Sequence, residues 1–141
     1  MEKREYQTRL GPICYWVSPG EGTPLVFLPG LTADHRLFEK QIADFEGRYP
    51  LLVWDPPGHG ASRPFRLDFS MDSTAVWLRA ILRRERLEKP ILIGQSMGGY
   101  VAQCFMQRFP GSLSGFISID SAPVKRKYAA AAELWVLKHM G

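Results

Sequence analysis

The chain has 141 residues, 45% of them apolar, enough for one soluble globular domain with a real core. Its formal net charge is +4. Much of the excess lies in Arg79, Arg83, Arg84, Arg86 and Lys89 and in Lys125–Lys127. The first set is interleaved with Leu78, Ile81 and Leu82, as on the wet side of an amphipathic helix, and no base-reading motif accompanies it, so nucleic acid is not an expected partner. The N-terminus is charged from its second residue, with no apolar signal region, and runs such as Leu25–Leu28 are far too short to span a bilayer. A cytoplasmic protein without a membrane partner is expected, with Cys14 and Cys104 as free buried thiols.

In chain order, segments 4–9 and 12–17, joined through Gly11, predict an antiparallel edge hairpin. Residues 24–28 form a short apolar run without alternation, which suits a strand buried on both faces. Phe38, Ile42 and Phe45 then fall at helical spacing within 35–46, and Gly47 ends that helix. A second buried strand is expected over 51–55, followed by a turn-rich loop. Residues 70–88 read as a helix with Met71, Ala75, Leu78 and Leu82 on one face and Ser70 as N-cap. Strand 90–94, helix 97–109, closed by Pro110-Gly111, and strand 115–119 continue the pattern. Residues 125–140 read as one more amphipathic helix. Strands alternating with helices predict a doubly wound, mostly parallel α/β sheet.

The segment Gly94-Gln95-Ser96-Met97-Gly98 fits G-x-S-x-G between a predicted strand and a predicted helix, the context that motif requires. A very tight strand-to-helix turn brings positions 94 and 98 together, where side chains would clash. It also strains the serine backbone, and such strain is kept where the exposed hydroxyl does something. The helix that starts after Ser96 points its free amides and positive dipole end at charge developing there. The plainer alternative is an ordinary Gly-Ser turn.

Four motifs in this order resemble the α/β-hydrolase superfamily over nearly the whole chain. They are Leu28-Pro29-Gly30-Leu31-Thr32 after the third strand, the D-x-x-G-x-G-x-S loop Asp55–Ser62, the elbow Gly94–Gly99, and Ile117–Pro123 at the sixth strand's end. The resemblance implies an α/β-hydrolase fold with an antiparallel N-terminal hairpin, Ser96 as nucleophile, and an oxyanion hole from the Met97 and Leu31 amides. Gly30, Gly94 and Gly98 support the motif. It implies an ester or other acyl substrate, and no cofactor or metal. Many members have His-Gly where this chain has Pro29-Gly30.

A serine hydroxyl needs a base. The superfamily takes a His after an eighth strand and a carboxylate after the seventh, and only six strands are visible. The chain therefore reads as lacking the last two strands, with a core over 1–121 and the start of a cap over 122–141. A complementary C-terminal fragment or a second copy is expected to cover what is exposed. Of the histidines present, His35 and His59 read as capping or turn residues, and His139 ends a helix where the cap begins. Asp120 is the candidate acid, because some lipase-like members place theirs after the sixth strand; the plainer role is to end the strand. Glu133 reads as a solvated charge. The readings that stay open are a serine hydrolase, a non-catalytic binding protein of the same fold, and a cofactor-free acyltransferase, perhydrolase or C–C hydrolase.

Overall fold

The computed structural model describes residues 1–121. These form six strands, β1 (Glu2–Gln7), β2 (Pro12–Ser18), β3 (Leu25–Leu28), β4 (Leu51–Trp54), β5 (Ile91–Gln95) and β6 (Gly115–Ile119), with helices α1 (Glu39–Phe45), α2 (Met71–Arg84) and α3 (Met97–Arg108). One sheet has the order β1-β2-β4-β3-β5-β6, antiparallel at β1-β2-β4 and parallel from β4 to β6. The predicted helix over 125–140, the cap boundary at 122, His139 and Glu133 lie outside the described residues.

Helices cover both faces of the sheet, as the unalternating strands required. Val26, Leu28, Leu52, Trp54 and Leu92 pack on one face with Leu78, Ile81, Val101 and Phe105 of α2 and α3. Phe27, Leu51, Val53 and Ile93 face the other side, against Phe38 and Ile42. Successive strand residues thus feed two apolar layers, which is why these strands read as continuous apolar runs.

Three elements differ from the sequence reading by more than one residue. The hairpin begins two residues earlier, because Thr8 closes the turn: its N–H and hydroxyl both donate to the Gly11 carbonyl, at 2.9 and 2.8 Å. The expected helix 35–46 is split into a 3₁₀ turn, His35–Phe38, and α1. Asp34 caps that turn by accepting from the Arg36 N–H at 2.9 Å, and Arg36 holds the Asp34 carboxyl down at about 2. Helix α2 stops at Arg84 rather than running to 88. Arg86 sits at φ 58°, and the Leu87 N–H reaches the Leu82 carbonyl at 2.9 Å while the Arg86 N–H reaches Arg83 at 3.1 Å. That is a Schellman cap built on an arginine where glycine is usual.

Candidate active site

The carboxyl ends of β3, β5 and β6 lie side by side, because β5 pairs with both neighbours in parallel. The loops at Gly30, Ser96 and Asp120 therefore open at one edge of the sheet, as in other open α/β sheets.

Ser96 lies between β5 and α3 with φ 54° and ψ −115°, a sparsely populated region for a residue bearing a side chain. Its backbone is fully employed. The Ser96 N–H donates to Ile119 O at 2.8 Å, and its carbonyl accepts from the Gly99 N–H at 2.9 Å and from Ser121 Oγ at 2.8 Å. Its hydroxyl, by contrast, has no hydrogen-bond partner among the described residues. The glycines explain the tightness. A Cβ on Gly94 would come within 2.5 Å of the Gly98 carbonyl oxygen, and a Cβ on Gly98 would overlap the Leu28 carbonyl. The turn is closed by backbone against backbone, so no side chain fits at either position.

The loop after β3 leans on this elbow. Gly30 donates its N–H to Gln95 Oε1 at 3.0 Å, and a Cβ there would meet the Gln95 carbonyl at 2.7 Å and Ser96 Cβ at 3.0 Å. Gln95, whose side chain had no assigned task in the sequence reading, is thus the tie between the two loops. Thr32, at φ 62°, turns the chain away just after Leu31. Met97 opens α3, so its amide is one of the N-terminal donors that a helix leaves unpaired.

The loop after β4 is organised by a carboxylate. Asp55 is fully buried. Its Oδ1 accepts from the His35 N–H and faces His35 Nδ1, both at 2.8 Å, and its Oδ2 accepts from the Ala61 N–H at 2.8 Å. Ser62 Oγ donates to the Asp55 carbonyl at 2.6 Å and accepts from the Cys14 N–H at 2.9 Å, tying the loop to β2. Gly60, at φ 50°, presses against the Asp55 carboxylate and leaves no room for a Cβ. The D-x-x-G-x-G-x-S pattern therefore encodes a hydrogen-bonded knot. His35 is part of that knot and stacks on Trp16, with ring centroids 3.7 Å apart. Asp34, His35 and Asp55 bring one ligand atom each within 4.8 Å of one another, a juxtaposition the sequence did not reveal. Asp34 is forked onto Arg36 and Asp55 onto His35, so the trio is already occupied by internal bonds.

His59 is buried in the turn, where Nδ1 donates to Pro57 O at 3.2 Å and burial pushes the imidazole below its ordinary range. It belongs to the wall of a narrow apolar cleft with Leu31, Trp54, Phe69, Met97 and Val101. This cleft joins the loop after β3 to the start of α3, beside Ser96. Asp120 follows β6 at φ 52° and is exposed; its neighbour Ser121 is the residue bonded to Ser96.

The sequence profile of the α/β hydrolase fold matches residues 23–139. The chain belongs to this family. Over 98 residues it is 37% identical to the magnesium-chelatase 30 kDa subunit of Rhodobacter capsulatus, covering 67% of this chain and 34% of that protein. It is 27% identical over 116 residues to the pimeloyl-[acyl-carrier protein] methyl ester esterase of Vibrio parahaemolyticus, covering 82% and 42%. Among solved structures, the N-acyl homoserine lactonase AidH superposes with a TM-score of 0.79 at 24% identity, covering 91% of this chain and 48% of that one. The chain thus spans between a third and a half of the length of these relatives. No helix among the described residues is long and apolar enough to cross a membrane.

Proposed function

We propose that this family member is a serine hydrolase acting on an ester or related acyl substrate, with Ser96 as nucleophile. The observation that carries the reading is the strained Ser96 backbone, held by three hydrogen bonds while its hydroxyl has no partner among the described residues. Ser96 Oγ would attack the acyl carbon as its proton passes to a base. The negative oxygen would be met by the Met97 and Leu31 amides, the former at the positive end of α3. Collapse of the adduct expels the alcohol, protonated by the same base, and leaves an acyl-enzyme that water cleaves. The name of the Vibrio relative, an ester-cleaving enzyme, supports the same class.

The two described histidines are committed elsewhere, His35 to Asp55 and His59 to Pro57. We therefore propose that the base is supplied from beyond residue 141, with Asp120 as the candidate acid on the edge that carries Ser96. Fluorophosphonate labelling tests the reading. Without its base the 141-residue chain should label slowly, since loss of triad members costs ~10⁴–10⁶ in turnover. A longer chain supplying the base should label fast, and Ser96→Ala should abolish it.

A second reading is favoured by one finding: the Rhodobacter relative is named as a chelatase subunit. A non-catalytic protein of this fold would keep the elbow and never label, even in the longer chain. Ile117 and Ile119 of β6 are 50% and 39% exposed at the margin of the described sheet. We propose that a second copy, or a complementary C-terminal piece, covers them. Sedimentation showing a monomer at all concentrations would contradict this.

A further inference from the structure

One residue that lines the cleft carries an unmet polar group. Trp54 is only 1% exposed and forms part of the cleft wall, yet its Nε1–H has no acceptor. It is the one buried side-chain polar atom so placed among the described residues. Buried indole N–H groups ordinarily find a partner, and each exception calls for a cause. The other side-chain donors of the cleft are bonded. Thr74 Oγ1 donates to Met71 O at 2.6 Å, and His59 Nδ1 is bonded to Pro57 O. Around Trp54 the wall is made by Phe69, Met71, Met97 and Val101. A trapped water is poorly served in such surroundings, because it needs two to four polar partners.

We propose that Trp54 Nε1–H is a specificity-determining hydrogen-bond donor for the acyl group. The substrate would then be a short acyl chain bearing an acceptor oxygen a few atoms beyond the scissile carbonyl, rather than a plain alkanoyl chain. The proposal rests on reading Ser96 as the nucleophile of an acyl-transfer site. The cleft's free space, about 30 Å³, excludes a long chain in this conformation. Met71 and Met97, both unbranched and flexible, line the same cleft and would yield to a small group that reaches the indole nitrogen. A donor already buried and unpaired loses no water on binding, so an acceptor gains a bond there at little desolvation cost. A plain alkyl chain leaves the donor unmet.

A matched pair of probes decides this by binding, without turnover. Ethyl acetoacetate and ethyl butyrate share a four-carbon acyl chain and differ by one oxo group. The 141-residue chain, labelled with ¹⁵N in its four tryptophans, is titrated with each, the Trp54 indole signal being assigned by its loss in Trp54→Phe. Acetoacetate should move the Trp54 Nε1–H downfield and bind about tenfold tighter than butyrate. Trp54→Phe should bring acetoacetate down to the butyrate level while the other three indole signals stay in place. If that variant fails to fold, the signal is assigned by elimination from Trp16, Trp77 and Trp135 substitutions, and the wild-type titrations decide. Equal responses to both esters, no response to either, or an N–H held by a water that neither ester displaces would overturn the proposal. A Trp54 response without fluorophosphonate labelling in any form sinks only the nucleophile reading; labelling without a Trp54 response sinks only the donor.

Discussion

Replacing Gly98 by alanine tests the packing logic of the elbow. Two effects oppose each other. Alanine in place of glycine in a helix such as α3 ordinarily gains up to about 1 kcal/mol. Against this, the new Cβ overlaps the carbonyl oxygen of Leu28 and lies 2.7 Å from its carbonyl carbon. Those are backbone atoms of β3, fixed by pairing of Leu28 with Gly94, and they cannot swing aside as a side-chain tip would. Overpacking typically costs about 1–3 kcal/mol, and a backbone obstacle belongs at the upper end. The net is a loss of about 2 kcal/mol. At roughly 4 °C per kcal/mol for a domain of this size, the midpoint should fall by about 8 °C. Differential scanning calorimetry reads it, with Gly115→Ala as control, since a Cβ there meets only the Ile91 side chain, at an ordinary 3.6 and 3.9 Å. An unchanged or raised midpoint for Gly98→Ala would show that α3 does not need its close approach to β3, and the argument for the tight turn would fail.

Other perturbations follow from the same geometry. Asp55→Asn leaves one of the three donors around the carboxylate facing an NH₂ group and should destabilise by about 2–3 kcal/mol, seen as a lower urea midpoint at unchanged slope. His59 has its folded pKa depressed by burial, so its contribution is complete above its ordinary value near ~6.5 and is lost as pH falls through the folded value. Melting midpoints should decline from about pH 6.5 downward, and His59→Gln should flatten that decline. Tyr15 is raised by burial and by its 2.5 Å bond to Glu85, so stability should also fall as pH climbs past ~10; Tyr15→Phe should remove that alkaline loss. Arg86→Gly relieves a left-handed residue and should raise the midpoint by up to about 4 °C, equivalent to about 1 kcal/mol; a fall would show that the arginine makes a compensating bond.

Much of this architecture was legible because local signals and packing agree. The apolar runs Leu25–Leu28 and Leu51–Trp54 could only be strands covered on both faces, and Gly94 and Gly98 forced a turn that only glycines can close. The end of α2 was not legible, since an arginine at the left-handed cap position gives none of the warning a glycine would. The split of 35–46 was hidden for a related reason: Asp34 and the buried Asp55 hold His35 in a tighter turn than its apolar spacing implies. Gln95 and Trp54 escaped notice because their roles depend on what lies across the sheet. No one-dimensional pattern marks a side-chain amide that ties two loops together, or an indole without an acceptor. Ser96, Met97 and Leu31 were singled out through motif order, and their placement at one sheet edge follows from strand order alone.

The bonds that hold the elbow have a consequence for how reactivity is timed. Ser96 presents its N–H to Ile119 and its carbonyl to Ser121, so the conformation of the proposed nucleophile is underwritten by the end of the last strand of the described sheet. Marginal strands open locally at free energies well below global unfolding. When β6 lifts away, the positive-φ conformation loses its support and Ser96 relaxes to an ordinary backbone geometry. An opening free energy of about 2 kcal/mol would leave the serine poised roughly 97% of the time, whereas one near zero would leave it poised only half the time. A partner docked beside β6 would therefore act as a governor on Ser96 without ever touching it.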